Sequence, residues 1–396
     1  MASLGSWVWL STAAVSVRSK YAVAAHFGDA ERAFLSPAGS FAGIDGISAH
    51  DAEVLERRDD SRVGAILDAC EEQGLTILTL QDAAYPFRLK NIFAPPVVLY
   101  VKGRLPDIDS RAVIAVIGTR KASVYGLKMG RRLAYEIACC GGVVVSGLTS
   151  GIDAEAARGA LMADGLCIGV LGTAHEQEHS ELAKDVAARG ALVSEIAPGI
   201  ASQKSFFRDR NRISAGLSVG VVAVEAPERS GTRLFVAEAA EQGKEIFAVP
   251  GNVDAVNSVG TLEFLRDGAK LATCGWDVMS EFRVLYPELH PPVHPLPGSC
   301  KPGSDAGQSN APEEKNAVDK QEDSVYIDWK EQLSGLTAEQ LQIVTALGKD
   351  SQHVDDIIEK TGLPTARVLV QLTVLEIKGI LRREPGRHIA LNIVKK

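Results

Sequence analysis

The sequence predicts an α/β protein built on a doubly wound, mostly parallel sheet, with a small helical module before it and a winged-helix domain after it. Two observations carry the central part. Six short apolar runs, 113–117, 143–146, 167–171, 191–196, 219–225 and 245–250, alternate with helix-length amphipathic segments such as KMGRRLAYEIAC and LFVAEAAEQG. That alternation means parallel strands with helices on both faces. Each run then ends in small or polar residues: GTRKASVYG, SGLTSGID, GTAHE, SEIAPG, EAPERSGT and VPGN. The strand ends would line one shallow crevice, where sheets of this kind hold ligands. At 396 residues the chain exceeds the usual size of a single core, so flanking domains are expected.

Composition narrows the function classes. With 46% hydrophobic and 23% charged residues the chain is ordinary for a globular protein. Its net charge of −8 means that any nucleic-acid contact must come from a local basic patch. The six cysteines (Cys70, Cys139, Cys140, Cys167, Cys274, Cys300) form no C-x-x-C pair and no Cys/His cluster. A reducing compartment without a zinc site is expected. The N-terminal WVWLSTAAVSV lacks a basic leader and a cleavage signal and is too short to span a membrane. It reads as a buried helix of a cytoplasmic protein.

In chain order, residues 1–75 read as short helices joined by Gly and Pro turns, a helical module of SAM or helix-hairpin-helix type. The close-set glycines of a DNA-contacting hairpin are missing, since 14–17 are Ala, Val, Ser and Val, so packing is its expected role. LTILTL is a short strand, and the prolines of DAAYPFRLKNIFAPPVVLYVKG exclude a long helix after it. The sheet domain is expected over 76–286. Its first strand, in AVIAVIGTRKASVYG, feeds a helix whose N-terminus spans Gly118–Gly126. Unpaired N–H groups and the helix dipole favour an anion there, with Arg120 as a bidentate partner for phosphate.

The most basic run is KSFFRDRNRIS, where Lys204, Arg208, Arg210 and Arg212 are interleaved with Phe206 and Phe207. Cations for phosphates and aromatics for bases are the ingredients of single-strand binding. On a helix 208 and 212 share a face and 210 points elsewhere, so not all four cations reach one ligand. Taken alone, the run reads as a solvated helix start with core phenylalanines, and Asn211 as a cap. Residues 287–332 are rich in Pro, Gly, Ser and charge, a flexible linker. Residues 333–396 read as three helices and a hairpin, a winged helix. Its third helix carries only Arg367 and Lys378 against Glu376, which favours packing or protein contact over DNA reading; Arg382, Arg383 and Arg387 in the wing argue the other way.

On the motifs DAAYPFRLKNIFAPPVVLYVKG, VIGTRKASVYG, SGLTSGIDAEAARGAL, RDRNRISAGLS, VVAVEAPERSGT and AEQGKEIFAVPG, in that order, the chain resembles the DprA/Smf family. The resemblance implies a Rossmann-like fold that binds single-stranded DNA without sequence preference, protects incoming DNA, dimerises and helps load the RecA recombinase during natural transformation. It implies no catalysis, cofactor or metal. Carried over by position, the DNA-binding set is Gly118, Thr119, Arg120, Ser123, Tyr125 and Gly126 after the first strand, and Ser146 and Gly147 after the second. Lys204, Phe207, Arg208, Arg210, Asn211 and Arg212 follow in the basic run, and Ser230, Gly231 and Thr232 after the fifth strand. Three departures stand out: Ser150 and Ala157 replace an arginine and a histidine, the residues after Gly172-Thr173 differ and run short, and Arg208 stands where proline is common. The first two are expected to weaken the crevice and the third to add a cation.

Two other classes compete with a DNA binder. VPGNVDAVNSVGTLEF is similar to the PGG-x-GT-x-E loop of phosphoribohydrolases, with Glu263 as its acid, although Asn252 replaces the second glycine and an insert precedes Gly260-Thr261. A partner-recruiting dimer that uses the sheet only as a scaffold is the other. Dinucleotide binding is disfavoured, since no G-x-G-x-x-G follows the first strand.

Overall fold

A computed structural model describes residues 2–292, 337–347, 352–377, 381–384 and 388–391. Of the linker expected over 287–332, residues 293–332 lie outside the described residues, as do Lys378, Arg387 and the side chains of Arg382 and Arg383, while Leu289 at its start is buried in the sheet core instead. The chain divides into two compact units, Met1–Ala306 and Gly307–Lys396.

The six predicted runs all form strands, and three more join them. In chain order these are β1 (Thr76–Thr79), β2 (Val98–Gly103), β3 (Val113–Ile117), β4 (Val143–Ser146), β5 (Cys167–Leu171), β6 (Ala191–Ser194), β7 (Gly220–Ala223), β8 (Glu245–Ala248) and β9 (Lys270–Leu271). The sheet order is β1-β2-β6-β5-β4-β3-β7-β8-β9. From β6 to β9 every pairing is parallel, while β1 and β2 run antiparallel. β3 to β6 build outward on one side of β3 and β7 to β9 on the other. The order therefore reverses between β3 and β7, the switch point beside which such sheets open a crevice.

The helices are α1 (Ala2–Thr12), α2 (Val17–Phe27), α3 (Ala30–Phe34), α4 (Ala49–Glu56), α5 (Val63–Gln73), α6 (Phe87–Lys90), α7 (Val124–Cys139), α8 (Ile152–Met162), α9 (Glu181–Arg189), α10 (Lys204–Leu217), α11 (Gly231–Glu241), α12 (Val259–Arg266) and α13 (Gly275–Met279). Alternate residues of the buried strands divide the core. Ile114, Val116 and Val144 pack with Leu133 of α7, Ala156 of α8 and Val186 of α9. Val113, Ala115 and Val145 pack with Ile213 of α10 and Phe235 of α11. This is period-two burial with helices on both faces.

The helical module is joined to the sheet through β2. Val98 and Tyr100 lie in one core with Trp7, Trp9, Phe41 and Leu55, while Leu99 and Val101 belong to the α10 side. Tyr100 Oη pairs with Ser11 Oγ at 3.0 Å, which satisfies a hydroxyl buried among apolar groups. β2 follows Pro95 and Pro96, and the sequence marked no strand there.

In the second unit the three predicted helices are Ala338–Leu347, Val354–Thr361 and Thr365–Ile377. Strands Leu381–Glu384 and His388–Leu391 pair as the expected hairpin, and Gln352–His353 adds a third strand that the sequence did not indicate.

Candidate functional site

The first strand-to-helix turn was expected to receive an external anion, but the protein supplies one of its own. Ser123 caps α7 by accepting from Gly126 N at 3.0 Å. Its own N–H donates to Glu225 Oε2 at 2.9 Å, and its hydroxyl donates to Glu225 Oε1. Asn257 Nδ2 adds a third donor to Glu225 at 3.1 Å. A Cβ on Gly126 would overlap this carboxylate, so glycine is what allows it to reach the helix start. Glu225 is only 3% exposed and fills the position read as a phosphate site. The carboxylate lies where the helix dipole favours an anion.

The open site lies beside it, on the α10 and α11 side of the switch point. A groove of about 690 Å³ is bounded by the Gly118–Lys121 turn, Thr149 and Asp153 after β4, the first two turns of α10, and the loop and helix start at 227–232. Six cations line it: Arg120, Lys121, Lys204, Arg208, Arg210 and Arg229. Its one acid is Asp153, buried behind Thr149, whose hydroxyl donates to Oδ2 at 2.9 Å. Burial pushes the Asp153 carboxyl up, and Arg210 is foremost among the groups that hold it down. Phe207 lies under the Arg120 guanidinium, 5.9 Å from carbon to ring centroid, a cation–π distance. Gly172 makes room for that ring, since a Cβ there would press into it. The N-termini of α10 and α11 both face the groove, and among the described residues neither has a capping side-chain hydrogen bond or an acid in its first turn.

This architecture is shared with known proteins. The family model described as "DNA recombination-mediator protein A" matches residues 76–283, and the "DprA winged helix domain" matches 330–387. The chain is 33% identical to Protein Smf of Escherichia coli over 326 residues, 81% of this chain and 79% of that protein. It is 37% identical to DNA processing protein DprA of Bacillus subtilis over 220 residues, 54% of this chain and 74% of that one. The chain belongs to the DprA/Smf family. The crystal structure of DprA from Streptococcus pneumoniae superposes with a TM-score of 0.61 at 30% identity, covering 69% of this chain and 96% of that one.

Of the residues carried over from the DprA/Smf pattern, the structure brings eleven to the groove: Gly118, Thr119, Arg120, Lys204, Phe207, Arg208, Arg210, Asn211, Ser230, Gly231 and Thr232. Six do not line it. Ser123 holds Glu225, Gly126 leaves room for its carboxylate, and the Tyr125 hydroxyl donates to Pro250 O at 2.7 Å. Ser146, 1% exposed, donates to the Asp153 carbonyl beneath the turn. Gly147 supplies a carbonyl to Arg210 Nη1 at 2.8 Å. Arg212 is buried in an ion pair with Glu195, its Nη2 donating to both carboxylate oxygens at 2.7 and 2.6 Å.

The helical expectation for the basic run is also revised. Lys204, Phe207, Arg208 and Asn211, spaced i, i+3, i+4 and i+7, form the groove-facing stripe. Arg212 lies off its edge, while Arg210, expected to point elsewhere, reaches the groove floor from the buried side. Among the departures from the DprA/Smf pattern, Ala157 is fully buried in the core under α7 and α8, and neither it nor Ser150 lines the groove. Arg208 does line it. Lys121, Arg229 and Asp153 were not singled out, although each sits inside a motif that was: GTRK, APER and SGID. Glu263, the acid of the enzyme reading, is ion-paired with Arg233 and lines neither the groove nor the cavity next to it.

Proposed function

We propose that the groove binds the backbone of single-stranded DNA without sequence preference. One observation carries this reading: in a chain of net charge −8, six cations converge on a groove whose one carboxylate is buried. Arg120 and the open starts of α10 and α11 would hold phosphates. Lys204, Arg208, Lys121 and Arg229 extend the track, and the Phe207 face adds a surface for a base. Membership of the DprA/Smf family supports the finer reading: a cytoplasmic homodimer that protects incoming DNA and helps load RecA during natural transformation, with no catalytic step of its own. No helix among the described residues is long and apolar enough to cross a membrane.

The test is a fluorescence-anisotropy titration of a labelled oligonucleotide at several salt concentrations. The logarithm of affinity should fall with a slope near 0.7 for each phosphate neutralised. Arg120→Ala should weaken binding equally across sequences and make the slope shallower; unchanged affinity removes Arg120 from the track. Light scattering with and without the oligonucleotide reads oligomeric state in the same samples, and nucleation of RecA filaments on protein-coated DNA tests the loading step.

A further inference from the structure

A cavity of about 460 Å³ lies behind α10, between the helical module and the sheet. One wall is the turn from Ser11 to Val17 with Lys20 of α2; the other is the chain just after β6 with Phe206, Asp209, Arg210 and Ile213 of α10. These four repeat the i, i+3, i+4, i+7 spacing of the groove-facing stripe on another face of the helix. Cavity and groove are thus separate, and of their lining residues only Arg210 reaches both.

Three polar groups of this cavity lack the partners that buried groups need. Lys20 Nζ donates to Ser11 O at 2.5 Å, which leaves its other donors free. The Asp209 carboxylate has no hydrogen bond or ion pair among the described residues. Arg210, 8% exposed, gives Nη1 to Gly147 O at 2.8 Å, while its Nε is buried without a partner. Burial pushes the Lys20 ammonium down and the Asp209 carboxyl up, the directions taken by charges that lose water. The other charges at hand do not pair with them: both oxygens of Glu195 are on Arg212, and Arg62 stands exposed at the rim. Lys20 and Asp209 therefore face one space with opposite charges and form no ion pair with each other. Val15, Ile196, Ile200 and Phe206 give the cavity an apolar surface as well. An apolar lining with a few placed polar groups is how small-molecule sites are built.

We propose that this cavity binds a free α-amino acid with an apolar side chain, its carboxylate on Lys20 and Arg210 Nε, its ammonium on Asp209, and its side chain against Phe206, Ile196 and Ile200. A zwitterion brings a counter-charge to each wall and adds no net charge. A simple anion would leave Asp209 opposed, and a simple cation would do the same to Lys20. The site does not depend on the reading of the groove, although its ligand would tie the helical module to the helix that carries the groove stripe.

Calorimetric titration of the full chain with L-phenylalanine and L-leucine tests it, beside hydrocinnamate, which lacks the ammonium of phenylalanine, and phenethylamine, which lacks the carboxylate. The amino acids should bind at a single site per chain. Each analogue should bind about ten-fold or more weakly than phenylalanine, the worth of a hydrogen bond to a charged group. Asp209→Asn should bind phenylalanine and hydrocinnamate alike, and Lys20→Met should bind phenylalanine and phenethylamine alike. Each ratio is taken within one protein, so a general loss of stability cancels. Absence of binding by both amino acids up to their solubility leaves the cavity to water and overturns the proposal. An analogue that matches phenylalanine on the parent chain, or an ammonium preference that persists in Asp209→Asn, overturns it too. Loss of amino-acid binding in Arg208→Ala, on the groove face, would move the ligand to the groove and overturn it as well.

Discussion

The starts of α7 and α11 look alike in sequence: each follows a buried parallel strand, carries a Ser before its first helical residue, and has a glycine within the first turn. They differ in what faces them. The start of α7 meets Glu225, held by Ser123 and Asn257, whereas α11 opens onto a groove lined by arginines and lysines. The same contrast separates two arginines four residues apart on α10. Arg212 has Glu195 as an internal partner and is buried; Arg208 is exposed along the groove. A charged or dipolar group is structural where the fold supplies its counter-charge, and free to bind where it does not.

The sharpest way to break the comparison is to empty the α7 start. Glu225→Ala leaves the Ser123 donors without their acceptor, and should cost about 4 kcal/mol in urea denaturation. Millimolar inorganic phosphate should then raise the melting temperature of the variant but not of the parent, because the vacated helix start now accepts an external anion. If phosphate stabilises both equally, the two helix starts are not distinguished by Glu225.

The arginine pair gives the next effect. Arg212→Ala strands the Glu195 carboxylate and should cost about 3 kcal/mol of stability, with little change in the salt slope of DNA binding. Arg208→Ala should do the reverse, leaving stability within about 0.5 kcal/mol and lowering the slope by roughly 0.7. Equal loss of slope in both variants would return Arg212 to the track.

The last effect concerns Lys244, a half-buried cation on which the Arg88 charge also bears. Burial, with the Arg88 charge adding to it, pushes the Lys244 ammonium down to about 8. The unfolded chain keeps that proton up to about 10.5, so between these values it binds more protons than the folded chain. Stability should therefore rise with pH from about 8 to about 10.5, a gain that Lys244→Met abolishes when urea midpoints are compared at the two ends of the window.

The parallel sheet was legible because buried strands leave unbroken Val/Ile runs and their turns leave glycines. The groove was legible in part, since Arg120, Lys204 and Phe207 sit in compositionally unusual stretches. What escaped is what distant segments decide together. Glu225 reads as the end of a strand, and only the fold brings it to Ser123, 102 residues earlier in the chain. Arg210 and Arg212 stand one residue apart in the same basic run, yet one meets the carbonyl of Gly147 and the other the carboxylate of Glu195. No local pattern carries that difference.

The alternation along β2 also bears on how the chain can be cut. Tyr100 serves the N-terminal helices and Leu99 the sheet core, so one strand is a seam sewn from both sides. A fragment beginning at residue 76 would keep the strand but strip its cover, baring Val98 and Tyr100 to water. The leading helices are thus not a detachable cassette, and shortened versions made for crystallisation or screening should retain them to remain dispersed in solution.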